Sequence, residues 1–328
     1  MSEKPLPFDS IRHQRIFISA LDWGMGHLNR TAALIIKLCE QNEIIIFSSP
    51  SQKKFYSQLF PKLKQIDITS NYVQFHPSSL FKTFLHSFRF VPSIYQENQT
   101  LRRFIKNNFK PELIISDHRY GFYHPDTKNI FVTHQVKLQT SSYLSVFNKI
   151  HQRLLMHFDE LWIPDYENEE ESLAGKLSHP DNPILPVHYI QPQSLMQKKQ
   201  MNKDIDYLFI ISGTESERKY FEKAFEKISQ ILLHKNPSLK VNIIGSYKVD
   251  GHLWFGWKNF EETNQLMCRS KNIITRAGYT TLMDWQKIND ISQQLYLINT
   301  PHQYEQQYLF HYWINKGWTK DIKQFIEI

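Results

Sequence analysis

RIFISALDWGMGHLNRTAALIIKLCEQNEIIIFS, residues 15–48, decides how the rest of the chain is read. Residues 15–21 form a short apolar run. Residues 28–39 carry apolar side chains at helical spacing (Leu28, Ala32, Ile35, Ile36, Cys39), and 43–48 are an Ile-rich run ending in Ser48-Ser49-Pro50. Between the first run and the helix stands Asp22-Trp23-Gly24-Met25-Gly26-His27. Strand, glycine turn, helix and strand in that order predict a β-α-β unit and a parallel sheet.

Outward from this unit the alternation continues. Helices are expected at 51–60 (Ser51 near its N-cap), 92–108 and 141–158, and strands at 112–116, 129–133 and 160–164. Residues 178–203 break the pattern with Pro180, Pro183, Pro186 and Pro192 among Gln and Ser, which reads as an interdomain linker. The alternation then restarts. Strands are expected at 207–212, 240–245, 252–255, 272–275 and 294–299, and helices at 215–234, 261–267, 280–287 and 304–315. The expected architecture is α/β: a Rossmann-like domain at 1–177, a linker at 178–203 and a second Rossmann-like domain at 204–328, facing each other across a cleft. The last helix is a candidate for packing back on the first domain.

Composition narrows the function. The chain has 328 residues, 41% of them apolar, which is enough for a sizeable core. A net charge of +7 fits anionic partners, but the Lys and Arg are scattered and form no nucleic-acid-binding motif, so no nucleic-acid partner is expected. Two cysteines, Cys39 and Cys268, far apart, make neither a disulfide framework nor a cysteine-rich zinc site. The start has no apolar signal region, and no run of about 18 apolar residues exists for a spanning helix. A cytoplasmic protein is expected.

Ligands of such sheets sit at the carboxyl ends of strands, which puts four turns under scrutiny. In the first, Gly24 and Gly26 let the backbone turn sharply, and His27 lies at the helix start, where an imidazole can act as general base. The ordinary alternative is a tight turn with a surface histidine. A third glycine is missing where Asn29 stands, so a dinucleotide fingerprint is not formed. The second turn crowds Ser116, Asp117, His118, Arg119 and Tyr120 at a strand end. The third, Ser212-Gly213-Thr214-Glu215, precedes a long helix, where backbone N–H groups and hydroxyls hold phosphate or simply cap. No P-loop lysine follows it. The fourth, Thr275-Arg276-Ala277-Gly278-Tyr279-Thr280-Thr281, brings backbone amides toward a nucleotide. Asp284 lies one helical turn beyond Thr280, where it can accept from ribose hydroxyls. Beyond the next strand, the amides of Gln306 and Gln307 suit sugar hydroxyls.

In order and spacing these turns resemble the MurG-like glycosyltransferases of the GT-B fold, related inverting UDP-sugar transferases, and a bacterial subgroup that shares an Asp-Trp-Gly-x-Gly-His start. The first turn is similar to the family's Gly-x-Gly-His loop. Residues 275–284 are similar to its Arg-Ser/Ala-Gly-x-x-Thr donor motif followed by an acid, and Gln306-Gln307 to its paired Gln. The resemblance implies a hexosyltransferase that moves a sugar from a nucleotide-sugar donor, UDP-linked, to a hydroxyl acceptor with inversion, without metal or other cofactor. By the same resemblance His27, with Asp117, serves catalysis beside an acceptor loop of Gly24, Gly26, His118 and Arg119. Ser212, Gly213 and Thr214 hold the diphosphate; Arg276, Ala277, Gly278, Tyr279 and Thr280 line the nucleotide pocket. Asp284 binds ribose, and Gln306 and Gln307 read the sugar. Asp284 stands where the family has Glu, and Gln191 and Met196 where Gly and Arg are expected. Two alternatives stay open: a UDP-sugar epimerase of the same architecture, and a non-catalytic nucleotide-sugar-binding protein with an eroded site.

The acceptor is unidentified. Leu80, Phe81, Phe84, Leu85 and Phe88 share a helical face beside Lys82, His86 and Arg89. That pattern suits either a core-facing helix or an interfacial segment reaching a lipid-linked acceptor from the inner face of the membrane.

Overall fold

The computed structural model describes residues 5–22, 24–68, 90–136, 145–213, 215–245, 254–255, 260–300 and 303–323. Thr214 and the apolar cluster at 80–89 lie outside the described residues. The chain divides into two compact units, Met1–Asp22 with His27–Gln193, and Trp23–Gly26 with Ser194–Ile328. No described helix is long and apolar enough to cross a membrane.

The first unit is built on a seven-stranded sheet: β1 (Arg15–Ala20), β2 (Glu43–Ser48), β3 (Lys64–Asp67), β4 (Leu113–Asp117), β5 (Lys128–Val132), β6 (Glu160–Ile163) and β7 (Val187–Tyr189). The spatial order is β3-β2-β1-β4-β5-β6-β7, and every pairing is parallel. Helices cover it: α1 (Met25–Leu38), α2 (Pro50–Leu59), α3 (Phe90–Asn107) and α4 (Ser145–Leu155). Sheets of this kind are covered on both faces, so β1 reads as a continuous apolar run and is buried from Ile16 to Ala20. One core cluster joins Phe17, Ile45, Phe47, Ile114 and Phe122 to Leu101 of α3.

Three local readings change. Helix α1 buries Leu28, Ala32 and Ile35 as expected, but Ile36 is 46% exposed, because the buried face runs on through Thr31, Leu34 and Leu38. Helix α2 starts earlier than Ser51: Ser49 is its N-cap, Pro50 takes the first helical position, and Ser49 N–H donates to Gln52 Oε1 at 3.1 Å. Within 178–203, Val187–Tyr189 forms the edge strand β7. The preceding Pro186 still contributes, its carbonyl accepting from Leu161 N–H at 2.8 Å, and a sheet edge is where a proline-flanked strand is tolerated.

The second unit carries a six-stranded parallel sheet of β8 (Ile205–Ile210), β9 (Val241–Ile244), β10 (Trp254–Phe255), β11 (Ser270–Arg276), β12 (Gln294–Ile298) and β13 (Lys320–Asp321), in the order β10-β9-β8-β11-β12-β13. Its described helices are α5 (Glu215–Lys235), α6 (Phe260–Arg269), α7 (Tyr279–Ile288) and α8 (Tyr304–Asn315). Phe221, Phe225, Ile228 and Leu232 of α5 pack on Phe209, Ile243, Ile274 and Tyr296 of the sheet.

Each sheet reverses its winding once, between β1 and β4 in the first and between β8 and β11 in the second. At such a switch point neighbouring loops leave in opposite directions and open a crevice beyond the carboxyl ends of the strands. The turns after β1 and β4, and those after β8 and β11, are the ones the sequence singled out.

Candidate active site

At the first switch point, the adjacency of β1 and β4 brings together residues ninety positions apart. Ala20 at the end of β1 pairs with Asp117 at the end of β4. His27, in the first turn of α1, reaches Asp117 with Nδ1 2.8 Å from Oδ1. A carboxylate oxygen only accepts, so Nδ1 carries the hydrogen in this pair, and it is the neutral form of the imidazole that has a lone pair on Nε2. Asp117 is almost fully buried and also accepts from Arg30 Nε at 2.9 Å, from Arg30 Nη2 and from Thr31 Oγ1 at 2.9 Å. Burial would raise its pKa; the charge of Arg30 and then that of His27 outweigh it and hold the carboxyl well below the usual carboxylate range.

Arg30 was not anticipated. It lies three residues after His27 on α1, the spacing that places two side chains on one helix face, and this was the available signal. Its guanidinium is buried and also donates from Nη1 to His134 Nδ1 at 3.1 Å. Because Nη2 donates to Asp117 Oδ1, its 3.0 Å approach to His27 Nδ1 is a contact between two donors.

His118 follows Asp117 with φ 60, a left-handed backbone uncommon for a residue with a side chain. Ser116 closes the turn beneath it, donating from Oγ to Arg119 O at 2.6 Å and accepting from Arg119 N–H at 3.1 Å. The His118 ring packs edge-on against His27 with centroids 5.3 Å apart. Burial, and next the charges of His27 and Arg30, push its pKa well down, so it is neutral at working pH. Arg119 points elsewhere. It is wholly buried, with Nη1 donating to Glu97 Oε1 at 2.6 Å and Nε to Ala20 O at 2.6 Å, so it ties α3 to the end of β1. Gly24 has φ 78, a conformation that favours glycine.

At the second switch point, Ser212 and Gly213 after β8 meet Arg276 at the end of β11. Arg276 Nε donates to Ser212 Oγ at 3.1 Å, and Nη1 donates to Glu217 Oε1 at 2.8 Å and lies 3.5 Å from Gln303 Oε1. Gly213 has φ 106, and a Cβ there would stand 2.5 Å from both Arg276 Nη2 and Glu217 Oε2. Only glycine fits. The Gln306 amide lies 2.8 Å from Thr300 Oγ1 and, with its oxygen toward the guanidinium, 3.0 Å from Arg276 Nη1. Thus Ser212, Gly213, Arg276 and Gln306 are brought together, with Glu217 and Gln303 as members the sequence reading missed.

The other expected donor residues vary. Ala277 and Tyr279 are buried, Gly278 is the N-cap of α7, and Thr280 and Gln307 are half-buried. Asp284 is buried on α7 and accepts from Ser194 Oγ at 2.5 Å. Burial pushes its pKa up to about 7 against the lowering effect of that hydrogen bond.

No family model and no curated protein matches the sequence. Solved structures do match in fold. The glycosyltransferase of kitacinnamycin superposes with a TM-score of 0.64 at 10% identity, over 95% of this chain and 86% of that one. Arabidopsis thaliana UGT89C1 complexed with UDP-L-rhamnose gives 0.63 at 12%, over 96% and 88%. MurG of Acinetobacter baumannii gives 0.56 at 12%, over 95% and 86%. The fold of this chain is therefore that of the GT-B glycosyltransferases.

Proposed function

We propose that the chain transfers a sugar from a nucleoside diphosphate sugar, UDP-linked, to a hydroxyl acceptor with inversion. The carrying observation is the 2.8 Å pairing of His27 Nδ1 with Asp117 at a sheet's switch point, which leaves Nε2 as a base. The fold shared with an enzyme solved with UDP-L-rhamnose supports the donor class. In the reaction, Nε2 removes the acceptor's proton as its oxygen attacks the anomeric carbon. The bond from that carbon to the diphosphate oxygen breaks on the opposite side, which inverts the centre. Asp117 stabilises the imidazolium that forms. The charge on the departing diphosphate is met by Arg276 and by the backbone N–H groups at the start of α5. Asp284 Oδ2 and the amides of Gln306 and Gln307 are assigned to the ribose and sugar hydroxyls. A lipid-linked acceptor at a membrane face remains part of the proposal through residues 80–89 alone.

The test combines binding and turnover. UDP, rather than GDP or dTDP, should raise the melting temperature by mass action. Incubation with UDP-sugars and a panel of hydroxyl acceptors should release UDP. His27→Ala should cut kcat by roughly 10²–10⁴ while leaving UDP affinity close to that of the unmodified protein. Turnover that survives the substitution removes His27 from the mechanism.

A further inference from the structure

We infer that Glu217 is a built-in anion that competes with the donor's diphosphate for Arg276 and thereby sets donor affinity. This rests on the donor-site reading above and goes beyond it, since Glu217 has no part in the motifs that suggested that reading.

Three observations carry it. First, the cation that faces the phosphate turn is already engaged. Arg276 Nη1 donates to Glu217 Oε1 at 2.8 Å, and the two side chains are only 9% and 7% exposed, so the pair is shielded from water. A buried ion pair is strongly coupled, and a second anion gains the guanidinium's charge only as the first yields it. Second, Glu217 occupies a helix end that favours an anion. It stands in the first turn of α5, where the helix dipole and the N-terminal N–H groups favour negative charge. Its Oε2 lies beside Gly213, on the same side as Arg276 Nη2. Carboxylate and diphosphate thus seek the same helix end and the same guanidinium, and each repels the other. Third, Arg276 has contacts besides Glu217 that can hold its place. Ser212 Oγ holds Nε at 3.1 Å, the guanidinium lies 5.9 Å from the Phe221 ring centroid, and Gln303 and Gln306 flank Nη1. Removing the carboxylate's charge leaves a cation held over the Ser212–Gly213 turn.

Glu217 therefore tunes the site toward weak retention of nucleoside diphosphate. The unmodified protein releases its product readily, at the expense of donor affinity.

Isothermal titration with UDP and with inorganic pyrophosphate tests this on the full chain, with thermal unfolding as a check on the fold. Glu217→Gln keeps the shape and removes the charge, and should tighten both ligands by about tenfold or more. Glu217→Ala should tighten them as well, and Arg276→Gln should weaken them in either background. In turnover, Glu217→Gln should lower KM for the donor more than it changes kcat. Folded Glu217→Gln and Glu217→Ala proteins that bind UDP no tighter than the unmodified chain overturn the inference, because a carboxylate that merely positioned Arg276 gives that result. If UDP, GDP, dTDP and pyrophosphate bind to neither the unmodified protein nor Glu217→Gln, the donor-site reading falls with it. Uptake of UDP without tightening sinks this inference alone.

Discussion

Asp117 sits almost out of reach of water with four hydrogen bonds directed at its two oxygens, two of them from the planar fork of Arg30. A carboxylate so placed stays charged only because a cation is buried with it. The consequence for His27 is direct: the same carboxylate that orients its imidazole is balanced in charge by a guanidinium three residues along the helix. Arg30→Met leaves Asp117 buried without its counter-charge and should cost roughly 3–5 kcal/mol, read as a lower urea midpoint. Arg30→Lys should recover only part of this, because an ammonium cannot donate from two fixed nitrogens to both oxygens. A substitution of Arg30 that leaves the midpoint unchanged would show that Asp117 does not need it. The local patterns pointed to His27 and Asp117 separately, one from a glycine turn and one from a polar strand end, and only the family resemblance joined them. That they touch depends on β1 lying beside β4, an adjacency that alternation of strands and helices does not specify.

At the scale of elements, the turns after β8 and β11 show how backbone and side chain depend on each other. Gly213 holds φ 106, and the space a Cβ would need is filled by the Arg276–Glu217 pair. Gly213→Ala therefore meets backbone strain and must displace the ends of the Arg276 and Glu217 side chains, and should cost about 1–3 kcal/mol. Thermal unfolding should register it, and UDP affinity should fall with it because the guanidinium is pushed off the turn. Most helices and strands were legible because buried parallel strands read as unbroken apolar runs and covering helices carry apolar residues every three or four positions. The misses have physical causes. β7 is three residues long and follows a proline, so it carries almost no periodic signal. Ile36 belongs to the apolar pattern of α1 but lies just past the edge of its buried face. The resemblance places Arg119 in the acceptor-side loop, and its partner Glu97 is on another helix; such long-range pairing leaves no local trace. Glu217 was hidden the same way: an acid in a first helical turn is ordinary, and only Arg276, fifty-nine residues on, makes it matter.

Over the whole molecule, buried titratable groups give the two units opposite responses to pH. In the first unit His118 is held well below its ordinary pKa and His151 is lowered to about 4, both chiefly by burial, and Asp117 is held low by Arg30 and His27 against the cost of its own burial. As pH falls below about 6.5 the unfolded histidines take up protons that the folded ones refuse, and below about 4 the unfolded Asp117 does the same. Stability of this unit is therefore lost as pH falls. In the second unit Asp284 has its pKa raised to about 7 by burial, with the Ser194 hydrogen bond lowering it in part. Between about pH 4 and 7 the folded form holds a proton that the unfolded form has released, so stability declines as pH rises through that window and levels off above it. The full penalty is on the order of 4 kcal/mol. Asp284→Asn keeps an oxygen for Ser194 and removes the titration. Calorimetry at pH 8 should show the second unit's transition raised by roughly 8–16 °C in the variant. At pH 4 that difference should vanish, because Asp284 is then protonated in the folded protein. An equal shift at both pH values would mean that the amide improves packing and that the buried carboxyl carries no pH dependence.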